Sequence, residues 1–171
     1  MKETDVHELI NESIQLELRM ANLYKIYSTE FTEDRGFWWQ LVIEEQGHAA
    51  LLRSGRDHFL PADTFPETLV DPSLINLRRS NNMAESFLKR INASIPDKET
   101  AYSAAYHFEN LVGEFTFQMF MAKNANSRLE EVFQQLNKDS VDHAERILSH
   151  MKENGTVLLG SEESFTAKGS F

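Results

Sequence analysis

Between about Thr4 and Thr29, Val6, Leu9, Ile10, Ile14, Leu16, Met20, Ala21, Leu23, Tyr24 and Tyr27 recur at helical spacing. That period places them on one face of a long α-helix, and it constrains the fold more than any other feature of the chain. Only 7 Gly and 4 Pro punctuate 171 residues, which points away from a many-stranded sandwich and toward long helices. A second helix is expected from Thr32–Asp34, where an acidic first turn suits the helix dipole, to about His58, with Pro61 closing the region. Residues 59–97 form a long connection, with a shorter helix over about 72–91 that Asp71 and Pro72 would open. A third helix is expected from about Lys98 to Lys123. A fourth follows a capping box at Ser127-Arg128-Leu129-Glu130 and ends near Asn154-Gly155. The expected fold is all-α: a four-helix bundle over residues 1–155 with a long crossover connection between helices two and three. A C-terminal tail over 156–171 has no clear period, and Val157-Leu158-Leu159 is its one segment expected to dock.

The two halves look related. Aligning His48 with His143 sets HAALL over HAERI and Trp38 over Phe133; aligning Glu17 with Glu109 sets Ala21 over Gly113 and Leu23 over Phe115. Each hairpin, about 4–58 and 98–154, then carries a Glu on its first helix and a His on its second.

Each apolar stripe is interrupted by a polar residue near its middle. Ile10, Ile14, Glu17, Ala21 and Tyr24 share a face; so do Trp38, Leu41, Glu45, His48 and Leu52. The later helices read Ala105, Glu109, Val112, Thr116, Met119 and Phe133, Leu136, Ser140, His143, Ile147. Packed side by side, they would bring Glu17, Glu45, Glu109, His48 and His143 to one level of a dry interior. Unpaired buried carboxylates cost several kcal/mol each, and like charges at close range add to that. No Lys or Arg falls in the stripes. The carboxylates must therefore hold protons or share a cation, and two divalent ions would carry more positive charge than three carboxylates carry negative. Glu45 and His48, one helical turn apart, point the same way and can share one ion. Carboxylate with imidazole suits iron or manganese, and zinc also remains compatible. Otherwise Glu17 and Glu109 are simple hydrogen-bond acceptors, and His48 is a core histidine. Glu44, beside the motif, is expected to face solvent, and His150 to line the bundle end.

This pattern resembles the ferritin-like di-iron proteins, most nearly their rubrerythrin-related branch. The residues that carry the likeness are Glu17, Ala21 and Tyr24 in ELRMANLY, Glu45 and His48 in EEQGHAALL, Glu109 in HFENLVGEF and His143 in DSVDHAERI. The resemblance spans roughly residues 4–154. It implies six ligands to two irons: a Glu from each first helix and a Glu-x-x-His from each second helix. Five are present. Ser140 stands where the second Glu-x-x-His would begin, and Asp139, four residues before His143, is the other candidate. The second position would then use Asp139, use a water or exogenous ligand held by Ser140, or be lost, leaving one iron. Tyr24 takes the place of the family's tyrosine beside the ligands.

The resemblance implies an oxidoreductase that reacts with peroxide or dioxygen. The competing expectations are iron storage or delivery with ferroxidase chemistry, and a structural domain with a degenerate site. Rubrerythrins of full length carry a cysteine-ligated iron domain that supplies electrons. With no cysteine, this chain would need a separate electron donor or would draw electrons from its substrate metal. A net charge of −10 argues against nucleic acid as a partner. No run suits a bilayer span and no apolar leader is visible, so the expected location is cytoplasmic, with a homodimer as the default assembly.

Overall fold

A computed structural model describes residues 3–136 and 142–166. Their regular structure is helical, with no strand among the described residues. The elements are α1 (Glu3–Glu30), α2 (Arg35–Ser54), α3 (Leu74–Ala93), α4 (Lys98–Glu109), α5 (Val112–Ala122), α6 (Arg128–Leu136), α7 (His143–Glu153) and α8 (Ser161–Thr166). Among the described residues no helix is long and apolar enough to cross a membrane.

The period in the first sixty residues produces an antiparallel pair. A 3-10 turn over Thr32–Asp34 reverses the chain between α1 and α2. Contacts between Tyr24 and Trp38, Glu17 and His48, and Asn11 and Arg56 then run in opposite senses along the two helices. Beyond Ser54 the helix widens into one π-helical turn, Gly55–Phe59. The connection helix α3 lies alongside α1 in the same direction: Arg78 meets Glu8 and Glu12, and Arg19 meets Asn81 and Glu85. It starts slightly later than the Asp71-Pro72 pair suggests. Ser73 is the cap, its Oγ accepting from the Asn76 amide at 3.3 Å, while Asp71 accepts from the Ser73 amide at 2.7 Å.

The expected third and fourth helices are not continuous, which corrects the simple four-rod picture. α4 ends at Glu109; Leu111 is extended (φ −71, ψ 159) and the chain re-enters a helix at Val112. On the other side, Asp142 adopts a left-handed conformation (φ 66) immediately before α7, so α7 begins afresh at His143. Ser127 does cap α6, accepting from the Glu130 amide at 3.2 Å. Gly155 at φ 67 ends α7, with the Thr156 amide returning to Met151 O at 3.0 Å.

α4 and α7 run antiparallel, with Tyr102 beside His150 at one end and Glu109 beside His143 at the other. Asp34, buried at the start of α2, ties the first end together by pairing with Lys98 of α4 (2.6 Å) and His150 of α7 (3.1 Å). Residues 157–160 dock through backbone rather than apolar side chains. The Leu159 amide donates to Ser103 Oγ at 3.0 Å and its carbonyl lies 2.8 Å from His107 Nε2, while Val157 remains 65% exposed. α8 then lays Phe165 against Phe108 and Phe87, a helix for which the tail's lack of period gave no signal.

The apolar interior divides in two. One cluster gathers Leu16, Met20, Tyr24, Trp38, Leu41, Tyr102, Phe108 and Ile147; the other gathers Ile10, Ile14, Ala49, Leu52, Phe117 and Phe133. On α1 the division falls beside Glu17, and on α2 it falls between Val42 and Ala49, where Glu45 and His48 lie. A polar level therefore separates two dry cores.

Candidate metal centre

That level holds the five side chains singled out from the stripes, each fixed by a different local device. Glu17 sits at mid-length on α1. Glu45 and His48 project together from α2 because three residues advance a helix by nearly one turn. Glu109 is the last residue of α4 and His143 the first of α7, so the two helix interruptions aim these side chains inward. All five are buried, with Glu45, His48 and His143 at 0% exposure.

They form two groups that share Glu45. Ligand atoms of Glu17, Glu45 and His48 lie within 4.8 Å of one another, as do those of Glu45, Glu109 and His143. His48 Nδ1 is 3.2 Å from Glu17 Oε2 and 3.2 Å from Glu45 Oε2. His143 Nδ1 is 2.8 Å from Glu45 Oε1 and 3.4 Å from Glu109 Oε2. The Tyr24 hydroxyl donates to Glu109 Oε1. Trp38 stacks on Tyr24 and Phe117 lies against the His48 ring (4.3 Å), walling the site with aromatic surface.

Without a cation the cluster balances its charge with protons. Burial raises the Glu17 carboxyl to about 8, against the opposing pull of His48. Burial would depress both imidazoles. Glu17 and Glu45 outweigh it and lift His48 to about 9, and Glu45, Glu109 and Glu44 lift His143 well above the usual histidine range. Burial would likewise raise Glu45, yet His143 and His48 hold it well below the carboxylate norm. No Lys or Arg among the described residues forms an ion pair with the five.

The donor atoms fit a metal. Glu45 Oε1, Glu109 Oε2 and His143 Nδ1 are buried and lie close together, in ion-pair contact but with no aligned hydrogen bond. A purely structural polar cluster satisfies its buried groups. Here three of them meet only one another, at 2.8 and 3.4 Å, an arrangement that ligands around a common ion also adopt. Two carboxylates and one imidazole per group make a hard-to-borderline donor set suited to iron or manganese.

Not every expectation survives. Glu44 does not face solvent: it is 7% exposed, accepts from Arg146 Nη1 (2.6 Å) and Gln40 Nε2 (2.8 Å), and lies 3.0 Å from His143 Nε2. Those partners, His143 and Arg146 above all, hold its carboxyl at about 2 against the opposing effect of burial. The sequence held one clue, Arg146 three residues after His143 on the same helical face, a cation in want of a carboxylate. His150 lies away from the cluster, stacked on Phe37 (4.1 Å). Asp142 is exposed beside His143. Asp139 and Ser140, the candidates for the sixth ligand, lie outside the described residues.

No protein-family model matches the chain, and neither a curated protein nor a solved structure does.

Proposed function

We propose that this chain is a ferritin-like di-iron carboxylate protein, related to the rubrerythrin branch, and that it acts as an oxidoreductase toward peroxide or dioxygen. The observation that carries the reading is the sharing of Glu45 by two buried groups, each of two carboxylates and one imidazole. The succession of a Glu on α1, a Glu-x-x-His on α2, a Glu on α4 and a His on α7 supports the same family, despite the interruptions after α4 and before α7.

In this reading Glu17, Glu45 and His48 would hold one ion, and Glu45, Glu109 and His143 would hold the other. Iron bound there would supply paired one-electron oxidation, enough for the two-electron reduction of a peroxide. The chain's own residues do the rest. Tyr24 keeps Glu109 oriented through its hydroxyl. The flanking aromatic side chains exclude water, which strengthens every charge interaction inside. Electrons come from a separate donor, and the working assembly is a cytoplasmic homodimer.

Metal content tests the reading. Protein reloaded with ferrous iron and measured by mass spectrometry should carry two irons per chain. A folded chain that takes up no metal would sink it.

A further inference from the structure

We infer that the C-terminal tail is a strap that holds the ligand Glu109 in place, and that Phe165 is its positioning residue. This rests on the metal-centre reading above. Glu109 is the last residue of α4. Leu111 is extended just beyond it, so no helix continues past the ligand. The last carbonyls of a helix lack onward partners, and its final turn frays unless something outside holds it. Glu17 has no such need, because it sits at mid-length on a helix of 28 residues.

Three successive residues of that turn are gripped from outside α4. His107 Nε2 donates to the Leu159 carbonyl at 2.8 Å. The Phe108 ring lies 4.8 Å from Phe165 and 5.2 Å from Phe87 of α3. Glu109 accepts from the Tyr24 hydroxyl. The tail therefore holds the two residues before the ligand, and Tyr24 holds the ligand itself. The tail is also laid along α4 in order. The Val157 amide donates to Glu99 Oε1 at 2.7 Å, the Leu159 amide donates to Ser103 Oγ at 3.0 Å, and Phe165 closes on Phe108. The chain leaves α7 at Gly155 and returns beside α4 to the break, where its aromatic anchor sits next to the ligand.

A tail that merely covered apolar surface would need no such register. Here the contacts at Glu99 and Ser103 set how far along α4 the tail reaches, and Phe165 then meets the residue beside Glu109. Phe87, Phe108 and Phe165 form one cluster of rings, each within 5.8 Å of the other two. Phe108 and Glu109 share one turn of backbone, so a fixed Phe108 ring fixes the direction in which the carboxylate points. Without the Phe165 ring the cluster is open on one side. The turn is then freer to unwind at Asn110, whose amide returns to His107 O at 3.3 Å, the weak end of hydrogen bonding. The ion shared by Glu45, Glu109 and His143 should be held less tightly, and the ion shared by Glu17, Glu45 and His48 should be unaffected.

Cobalt(II) titration of the full chain tests this, followed by visible absorption and calorimetry, with hydrogen exchange on the metal-free protein. Wild type should bind two ions. Phe165→Ala should bind one ion unchanged and the other roughly 10-fold more weakly, the low end of what loss of a supporting shell costs. Phe165→Leu keeps an apolar side chain against Phe108 and should restore most of the difference. Val6→Ala, a core truncation near the start of α1, should lower Tm and leave both ions as in wild type. In metal-free Phe165→Ala the amides of Asn110 and Leu111 should exchange faster, and those around Glu17 should not. A Phe165→Ala titration that superimposes on wild type, one in which both ions weaken alike, or the same selective loss in Val6→Ala overturns the positioning role while leaving the metal centre in place. Wild type that binds no cobalt sinks the metal centre, and this inference with it.

Discussion

At the scale of single residues, Glu45 faces both histidines. Its Oε2 meets His48 Nδ1 at 3.2 Å and its Oε1 meets His143 Nδ1 at 2.8 Å. Removing it should have a different signature from removing either flanking carboxylate. Glu45→Ala is expected to lose both irons, whereas Glu17→Ala should lose the His48-side ion alone. Mass-spectrometric metal counting on the two variants separates these outcomes. Equal losses would mean that Glu45 is not shared. Tyr24 offers a milder probe. Tyr24→Phe leaves Glu109 without its phenol partner and should cost about 1–3 kcal/mol of stability, because a buried acceptor loses its donor. Thermal melts of the metal-free protein would read that loss.

At the scale of elements, the π-helical turn after α2 is tightly packed at Gly55. A Cβ on Gly55 would sit 2.7 Å from Phe65 Cε2, inside contact distance of a buried ring. Gly55→Ala gains up to about 1 kcal/mol of helix propensity but meets an overpacking cost of about 1–3 kcal/mol. The expected result is a lower Tm, with metal binding intact because Gly55 lies beyond the polar level. A melt at or above the wild-type temperature would mean that Phe65 yields easily. The elements also show which parts of the fold are legible in the sequence. α1 and α2 are readable because an unbroken apolar period leaves no other secondary structure to satisfy it. The break after Glu109 is not, since Phe108, Leu111, Val112 and Phe115 carry an apolar period across it that Asn110 and Gly113 do not visibly interrupt. The start of α7 hides for a related reason: Asp142 is compatible with a helix interior, and its positive φ has no signature in residue type. The candidate ligands were legible because a charged residue inside an apolar stripe needs a reason. Glu44 was not, because its role depends on which side of α2 is covered by α7, a lateral packing fact that no one-dimensional period contains.

At the scale of the whole molecule, the protons held by the cluster couple folding to pH, and the coupling should change sign with metal. His48 has a folded value of about 9 against 6.5, and Glu17 about 8 against 4.5. Both are raised, so the metal-free native state holds more protons than the unfolded chain across the neutral range. The stability they contribute is complete below the unfolded values and is lost as pH rises through about 8 for Glu17 and about 9 for His48. Each extra proton sets a limiting slope of about 1.4 kcal/mol per pH unit. Metal-free protein should therefore melt at progressively lower temperature between pH 6.5 and 9. Ions on the same ligands require them deprotonated, so the loaded protein binds fewer protons than its unfolded chain below pH 6.5, and its stability should rise with pH through that point. Paired thermal melts across this range, with and without two equivalents of ferrous iron under argon, measure both slopes at once. Parallel curves would mean that these residues keep the same protons whether or not iron is present, and that the cluster is a structural polar core and not a metal centre.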